Sequence, residues 1–184
     1  MTGPASGPVN GRWRTRANAL TLSRSILIVP FAWLITQQYW TPAALIFAYA
    51  VISDIYDGKL ARKYGEESAL GGLLDHGTDA LFVTCGTWSL ASLQLVNPYL
   101  AVLIILAFAQ YMFDSRALAG QRLRTSQLGR INGVTYFVLV GTAVGMQLLG
   151  WFWLALPVQI AAWVLVFSTL LSMLDRAITY WRHG

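Results

Sequence analysis

Six apolar stretches, each close to twenty residues, govern what this chain can fold into: Leu20–Gln37, Thr41–Leu60, Leu70–Leu93, Pro98–Leu118, Ile131–Leu149 and Trp153–Leu174. A helix of about 20 apolar residues crosses the hydrocarbon core of a bilayer. A helix also satisfies its own backbone there, as few other structures do. Polar or turn-forming breaks separate the stretches: "TQQYWTP", "RKYGEES", "LQLVNP", "AGQRLRTSQLGR" and "LGWFWLALP". Composition agrees: 56% of the residues are hydrophobic and 11% charged, and the mean hydropathy is +0.53. A water-soluble domain carries about 25% charged residues, so too little polar surface remains here to coat a soluble globule. The expected fold is an all-α membrane protein with six transmembrane helices. The single cysteine, Cys85, forms no internal disulfide.

Charge position orients these helices. "TQQYWTP", "LQLVNP" and "LGWFWLALP" carry no charge, whereas the basic and acidic residues gather at the alternate junctions and the termini. By the positive-inside rule both termini face the cytoplasm. Tyr39, Trp40, Tyr99, Trp151 and Trp153 cluster in the opposite turns as an aromatic belt. The formal charge of +5 thus reports topology, and no nucleic-acid partner is expected. Residues 1–17 read as a disordered tail and a juxtamembrane amphipathic segment, with a short interfacial helix over Gly11–Asn18. Residues 18–184 form one transmembrane domain.

The junction after the second stretch holds the chemistry. Asp54 and Asp57 lie three apart near its end, and Asp75 and Asp79 four apart at the start of the third stretch. On helices both spacings put the pair on one face. Antiparallel neighbours joined by a short loop bring all four carboxylates toward one point at the membrane surface. Four converged carboxylates repel one another unless cations intervene. Carboxylate oxygen is the preferred ligand of Mg²⁺, Mn²⁺ and Ca²⁺, and a two-metal clamp suits phosphoryl chemistry. The plain alternative is four separate aspartates paired with Lys59, Arg62, Lys63 and Arg24. Ionisable groups at membrane depth favour function. Gly58 and Gly71 flank the carboxylates and suit ligand access, while packing explains Gly72 and Gly77. His76 is read onto a different helical face from Asp75 and Asp79, where it reaches a substrate or caps a network.

Asp54-x-x-Asp57-Gly58-x-x-Ala61-Arg62, eight residues, then Gly71-x-x-x-Asp75-x-x-x-Asp79 resembles the full signature of the CDP-alcohol phosphotransferases. "NALTLSR" (Asn18–Arg24) and the six spans extend the resemblance over nearly the whole chain. It implies transfer of a substituted phosphate from a CDP-linked donor to an alcohol, with release of CMP. It implies that Asp54, Asp57, Asp75 and, in part, Asp79 hold two Mg²⁺ or Mn²⁺ ions, and that Asp79 is the general base. Asp54, Gly58, Ala61, Arg62, Gly71, Asn18 and Thr21 are implied at the donor site. It further implies a homodimer, for which Gly120, Gly141 and Gly145 offer small-residue surfaces.

The short chain is similar to the bacterial enzymes that use CDP-diacylglycerol, which places it in a bacterial inner or plasma membrane with a cytoplasmic active site. "SQLGRINGVTY" resembles an element of phosphatidylglycerophosphate synthases but has Gly133 where Thr is usual. "DHGTDA" departs from their usual Asp-Pro-x-x-Asp-Lys and is similar to the choline- and ethanolaminephosphotransferases. A glycerol 3-phosphate-like acceptor is favoured, with an aminoalcohol phosphotransferase as the alternative. Arg116, Arg122, Arg124 and Arg130 serve either an acceptor phosphate or topology. Asp175 and Arg176 read as interfacial residues ending the last span. An ion-coupled transporter is the competing class. It calls for midplane charges and repeats that this sequence lacks.

Overall fold

Why the chain breaks where it does is plainest at one end of the helices. The computed structural model describes residues 16–64, 69–114 and 127–183, and at 16–19, 57–64, 69–70, 114 and 180–183 it describes the backbone alone. Six helices result: α1 (Arg16–Thr36), α2 (Trp40–Tyr64), α3 (Ala69–Ser92), α4 (Pro98–Asp114), α5 (Gln127–Leu149) and α6 (Ala155–His183), the last entered through a 3-10 turn at Phe152–Leu154. The turns after α1, α3 and α5 share one device. Each helix ends on a residue of positive φ, Gln38 (58°), Gln94 (60°) and Gly150 (68°). The following amide then folds back on the last turn: Tyr39 donates to the Leu34 carbonyl at 2.8 Å, Leu95 to Leu90 at 3.0 Å and Trp151 to Met146 at 3.0 Å. This is the Schellman closure, and it satisfies carbonyls that a helix end leaves orphaned. "NP" then starts α4, with Asn97 Oδ1 accepting from the Leu100 amide at 3.0 Å and Pro98 in the first helical position.

The helices form a ring in the order α1, α2, α5, α6, α4, α3 and back to α1, with α3 also touching α5 across it. Phenylalanines from four helices fill the middle. Phe31 stacks on Phe82 at 4.5 Å between centroids, Phe82 on Phe137 at 6.1 Å, and Phe47 lies 6.2 Å from Phe31. Glycines make room for these rings. A Cβ on Gly86 would come within 2.9 Å of Phe31, and one on Gly141 within 2.6 Å of Phe47. Gly141 is thus occupied inside the bundle. That removes it from the dimer surface the sequence suggested; Gly145 keeps open space beside it, and Gly120 lies outside the described residues.

The outside of the bundle is apolar, and several polar side chains are buried beside the hydrophobic core. Val29, Leu45, Phe167 and Leu171 are exposed, while Thr21, Arg24, Ser53, Thr78, Asn132 and Thr169 are buried. Buried hydroxyls and amides tie helices together: Ser25 to Thr78 (2.9 Å), Tyr136 to Thr169 (2.6 Å), and Ser168, donating to Asn132, at 2.6 Å. An apolar outside around polar inter-helix bonds is the arrangement a lipid solvent selects. Among the described residues two stretches, Gln127–Leu149 and Phe152–Thr179, are long and apolar enough to cross a membrane by themselves. Leu20–Thr36, Trp40–Tyr56 and Pro98–Phe113 are apolar but shorter. The interfacial helix expected at Gly11–Asn18 lies outside the described residues except for Arg16–Asn18, which belong to α1.

Candidate functional site

Three helices meet where the carboxylates lie. Asp54 comes from the second half of α2, Asp75 and Asp79 from the first turns of α3, and Arg24 from roughly two turns into α1. The Arg24 guanidinium binds all three. Nη1 lies 2.8 Å from Asp54 Oδ1 and 3.5 Å from Asp79 Oδ1, and Nη2 donates to Asp75 Oδ1. Arg24 is 1% exposed, whereas the Asp54 side chain is 43% exposed. The cation is at the floor of the cluster and the acids open outward. The Ser25–Thr78 bond fixes α1 against α3 beside it.

His76 joins this group. One ligand atom each from Asp75, His76 and Asp79 lie within 4.8 Å of one another. His76 therefore does not sit on the separate face from Asp75 and Asp79 that the spacing suggested. His76 and Asp79 are three apart, so they are neighbours on the helix surface, and the imidazole reaches across to Asp75. Two carboxylates and an imidazole, with Asp54 brought up through Arg24, are a fitting donor set for a divalent cation.

The cluster forms one wall of a cavity of about 400 Å³ between α3, α4, α5 and α6. Arg130 and Arg176 line another wall, with Tyr111, Asn132 and Gly133 near them. Arg176 lies 4.8 Å over the Tyr111 ring. Tyr111 Oη, Asn132 Nδ2 and Arg176 Nη1 are buried and make no hydrogen bond among the described residues. Buried donors of this kind normally have partners, so three beside one cavity mark a surface made for an oxygen-rich ligand.

The other expected site residues are distributed as follows. Asp57, Gly58, Ala61 and Arg62 follow Asp54 along α2, and Asn18 precedes Thr21 on α1; these five have backbone description only, while Thr21 is buried. Gly71 is partly buried on α3, one turn before Asp75. Arg130 is exposed at the cavity, and Arg116, Arg122 and Arg124 lie outside the described residues. Arg176 does not end its helix. α6 runs on to His183, about two turns further, which carries Arg176 to the cavity. Arg24 was visible only as one of several partners for separate aspartates; in the structure one cation serves three acids. Its signal was an arginine inside an apolar segment. Tyr111 and Asn132 gave no signal, because only the packing of α4 and α5 brings them together.

Helices with an apolar outside around a carboxylate–imidazole cluster, with arginines lining the same cavity, define a membrane-associated protein that sets cation ligands beside oxyanion ligands. The family model for CDP-alcohol phosphatidyltransferase matches residues 14–175, and the chain belongs to that family. It is 30% identical over 138 residues to the CDP-diacylglycerol–glycerol-3-phosphate 3-phosphatidyltransferase of Escherichia coli, covering 72% of each chain. It is 27% identical over 147 residues to the phosphatidylinositol phosphate synthase of Mycolicibacterium smegmatis, covering 77% of this chain and 65% of that one. A cardiolipin synthase (CMP-forming)/mitochondrial hydrolase fusion protein of Schizosaccharomyces pombe is 36% identical over 102 residues, which span 55% of this chain and 17% of the fusion.

Proposed function

We propose that the protein transfers a phosphatidyl group from CDP-diacylglycerol to the hydroxyl of a small polar alcohol, releasing CMP, in phospholipid synthesis. The observation that carries this reading is the cavity, with Asp54, Asp75, His76 and Asp79 on one wall and Arg130 and Arg176 on another. Family membership supports it, as do relatives named for phosphatidyl transfer to glycerol 3-phosphate.

Asp54, Asp57, Asp75 and Asp79 would hold Mg²⁺ or Mn²⁺, taken as two ions, which when bound neutralise the donor's pyrophosphate. Asp79 accepts the proton of the acceptor hydroxyl as general base. Asn18, Thr21, Gly58, Ala61, Arg62 and Gly71 shape the donor site. Arg130 and Arg176 bind an acceptor phosphate, and Tyr111 and Asn132 donate to its oxygens; planar guanidinium suits phosphate. Arg116, Arg122 and Arg124 serve the same acceptor phosphate, and His76 orients the acceptor. The six helices span a bacterial inner or plasma membrane with both termini cytoplasmic. Residues 18–184 form the catalytic domain, which works as a homodimer.

The test is purified protein with labelled CDP-diacylglycerol, Mg²⁺ or Mn²⁺ and a panel of alcohols, with CMP release and the lipid product followed. Glycerol 3-phosphate is expected to give product. Turnover only with CDP-choline and diacylglycerol would replace this reading by the aminoalcohol one, which "DHGTDA" favours.

A further inference from the structure

Arg24 stands outside the aspartate motif, on a helix that contributes none of its acids, yet it contacts three of them. It is almost fully buried. A buried guanidinium keeps its charge, because it does not deprotonate in proteins, and a buried charge requires ionic partners. Its contacts with Asp54, Asp75 and Asp79 run to their Oδ1 atoms, and a carboxylate has a second oxygen with which to bind another cation. Arg24 and a divalent ion can therefore share the same acids, and they repel each other across a few ångströms.

We propose that Arg24 is the fixed counter-cation of the carboxylate cluster. It holds α1, α2 and α3 together whether or not metal is bound, and it weakens the hold of the acids on the divalent ion. This rests on the metal-binding reading above. The physical trade is direct. One permanent positive charge lowers the repulsion among the acids that would otherwise open the helix junction, and it leaves less negative charge to attract a doubly charged ion. An arginine that mattered only for packing would stabilise the junction equally with and without metal and would leave metal affinity unchanged on its removal.

The experiment compares wild type, Arg24→Gln and Arg24→Lys as full chains in mild detergent. Mn²⁺ affinity is read by electron paramagnetic resonance of the free ion, and thermal unfolding is followed in EDTA and in saturating Mg²⁺. Arg24→Gln is expected to bind Mn²⁺ tighter by a factor on the order of 10. It should also lose stability in EDTA and regain most of it in Mg²⁺. Arg24→Lys keeps the charge without the fork, so its Mn²⁺ affinity should stay near wild type while its stability in EDTA falls. Equal loss of stability in EDTA and Mg²⁺, including failure of both variants to fold in either, would reduce Arg24 to packing. Unchanged or weaker Mn²⁺ binding by Arg24→Gln, with wild type binding normally, would overturn the counter-cation role. Absence of Mn²⁺ binding by the wild type would instead remove the metal reading on which the proposal stands.

Discussion

Asp79 illustrates how one side chain can be assigned two jobs with different signatures. It contacts Arg24 and lies within ligand distance of Asp75 and His76. If it acts chiefly as the base, Asp79→Asn should leave metal and CDP-diacylglycerol binding nearly intact while turnover falls by about 10²–10⁴. Donor binding lost at saturating Mg²⁺ would make it a ligand instead. Arg176 should behave differently. Arg176→Gln removes a donor from the cavity that is not itself one of the cation ligands, so the acceptor KM should rise about tenfold or more, the range of a lost charge-assisted hydrogen bond. Mn²⁺ affinity should hold. An acceptor titration alongside a metal titration separates the two residues. The motif aspartates were legible because their spacing is local to two adjacent helices. Arg24 was legible as an aspartate partner but not as one cation shared by three acids, because its contacts to Asp75 and Asp79 need α1 packed on α3. Arg176 was not legible as a site residue, because α6 reaches the cavity through packing that sequence order does not identify.

The helices themselves were readable from apolar length, and their ends less so. α5 begins at Gln127 rather than Ile131, and α6 extends to His183 rather than Leu174. Helical hydrogen bonding continues past the apolar run wherever nothing breaks it. The reverse ends are sharp because residues of positive φ close them. Gln94 carries a side chain in a conformation that costs an ordinary residue about 1 kcal/mol. Gln94→Gly should therefore raise the midpoint of thermal unfolding, with a gain of ~0.5–1 kcal/mol after the added freedom of the unfolded chain is counted. Gly141 gives the opposite sign. Gly141→Val would drive a branched side chain into Phe47 and is expected to cost ~1–3 kcal/mol, as overpacked cores do. Thermal melts of both variants in one detergent check the pair.

For the molecule as a whole, the ring order is the least predictable feature from sequence. Adjacent segments give α1 beside α2 and α3 beside α4. That α5 closes against α2 and α6 against α4 follows from which faces carry Phe47, Gly141, Gln110 and Met173. This closure creates the cavity, so the site depends on the entire bundle. Chelation should act at that scale. EDTA is expected to abolish CMP release and to lower the unfolding temperature, with Mg²⁺ restoring both, because a ligand at ~100 Kd adds about 2.7 kcal/mol to the native state. Undiminished release in chelator would exclude metal from the reaction. In mild detergent light scattering should give the mass of a dimer, with Gly141 outside its contact; an active monomer would remove the dimer from the proposal.

The three Schellman closures all lie at the end of the bundle away from the carboxylates. In the orientation proposed above, with the site end in the cytoplasm, those closures would be what the protein presents to the other side of the membrane. Turns this short, with their amides already engaged and aromatic side chains such as Trp151 and Trp153 around them, offer little for an antibody to grip or a protease to unfold and cut. On that proposed orientation, surface labelling from outside the cell is expected to find a nearly blank face, and a useful inhibitor would have to cross the membrane or arrive dissolved in it.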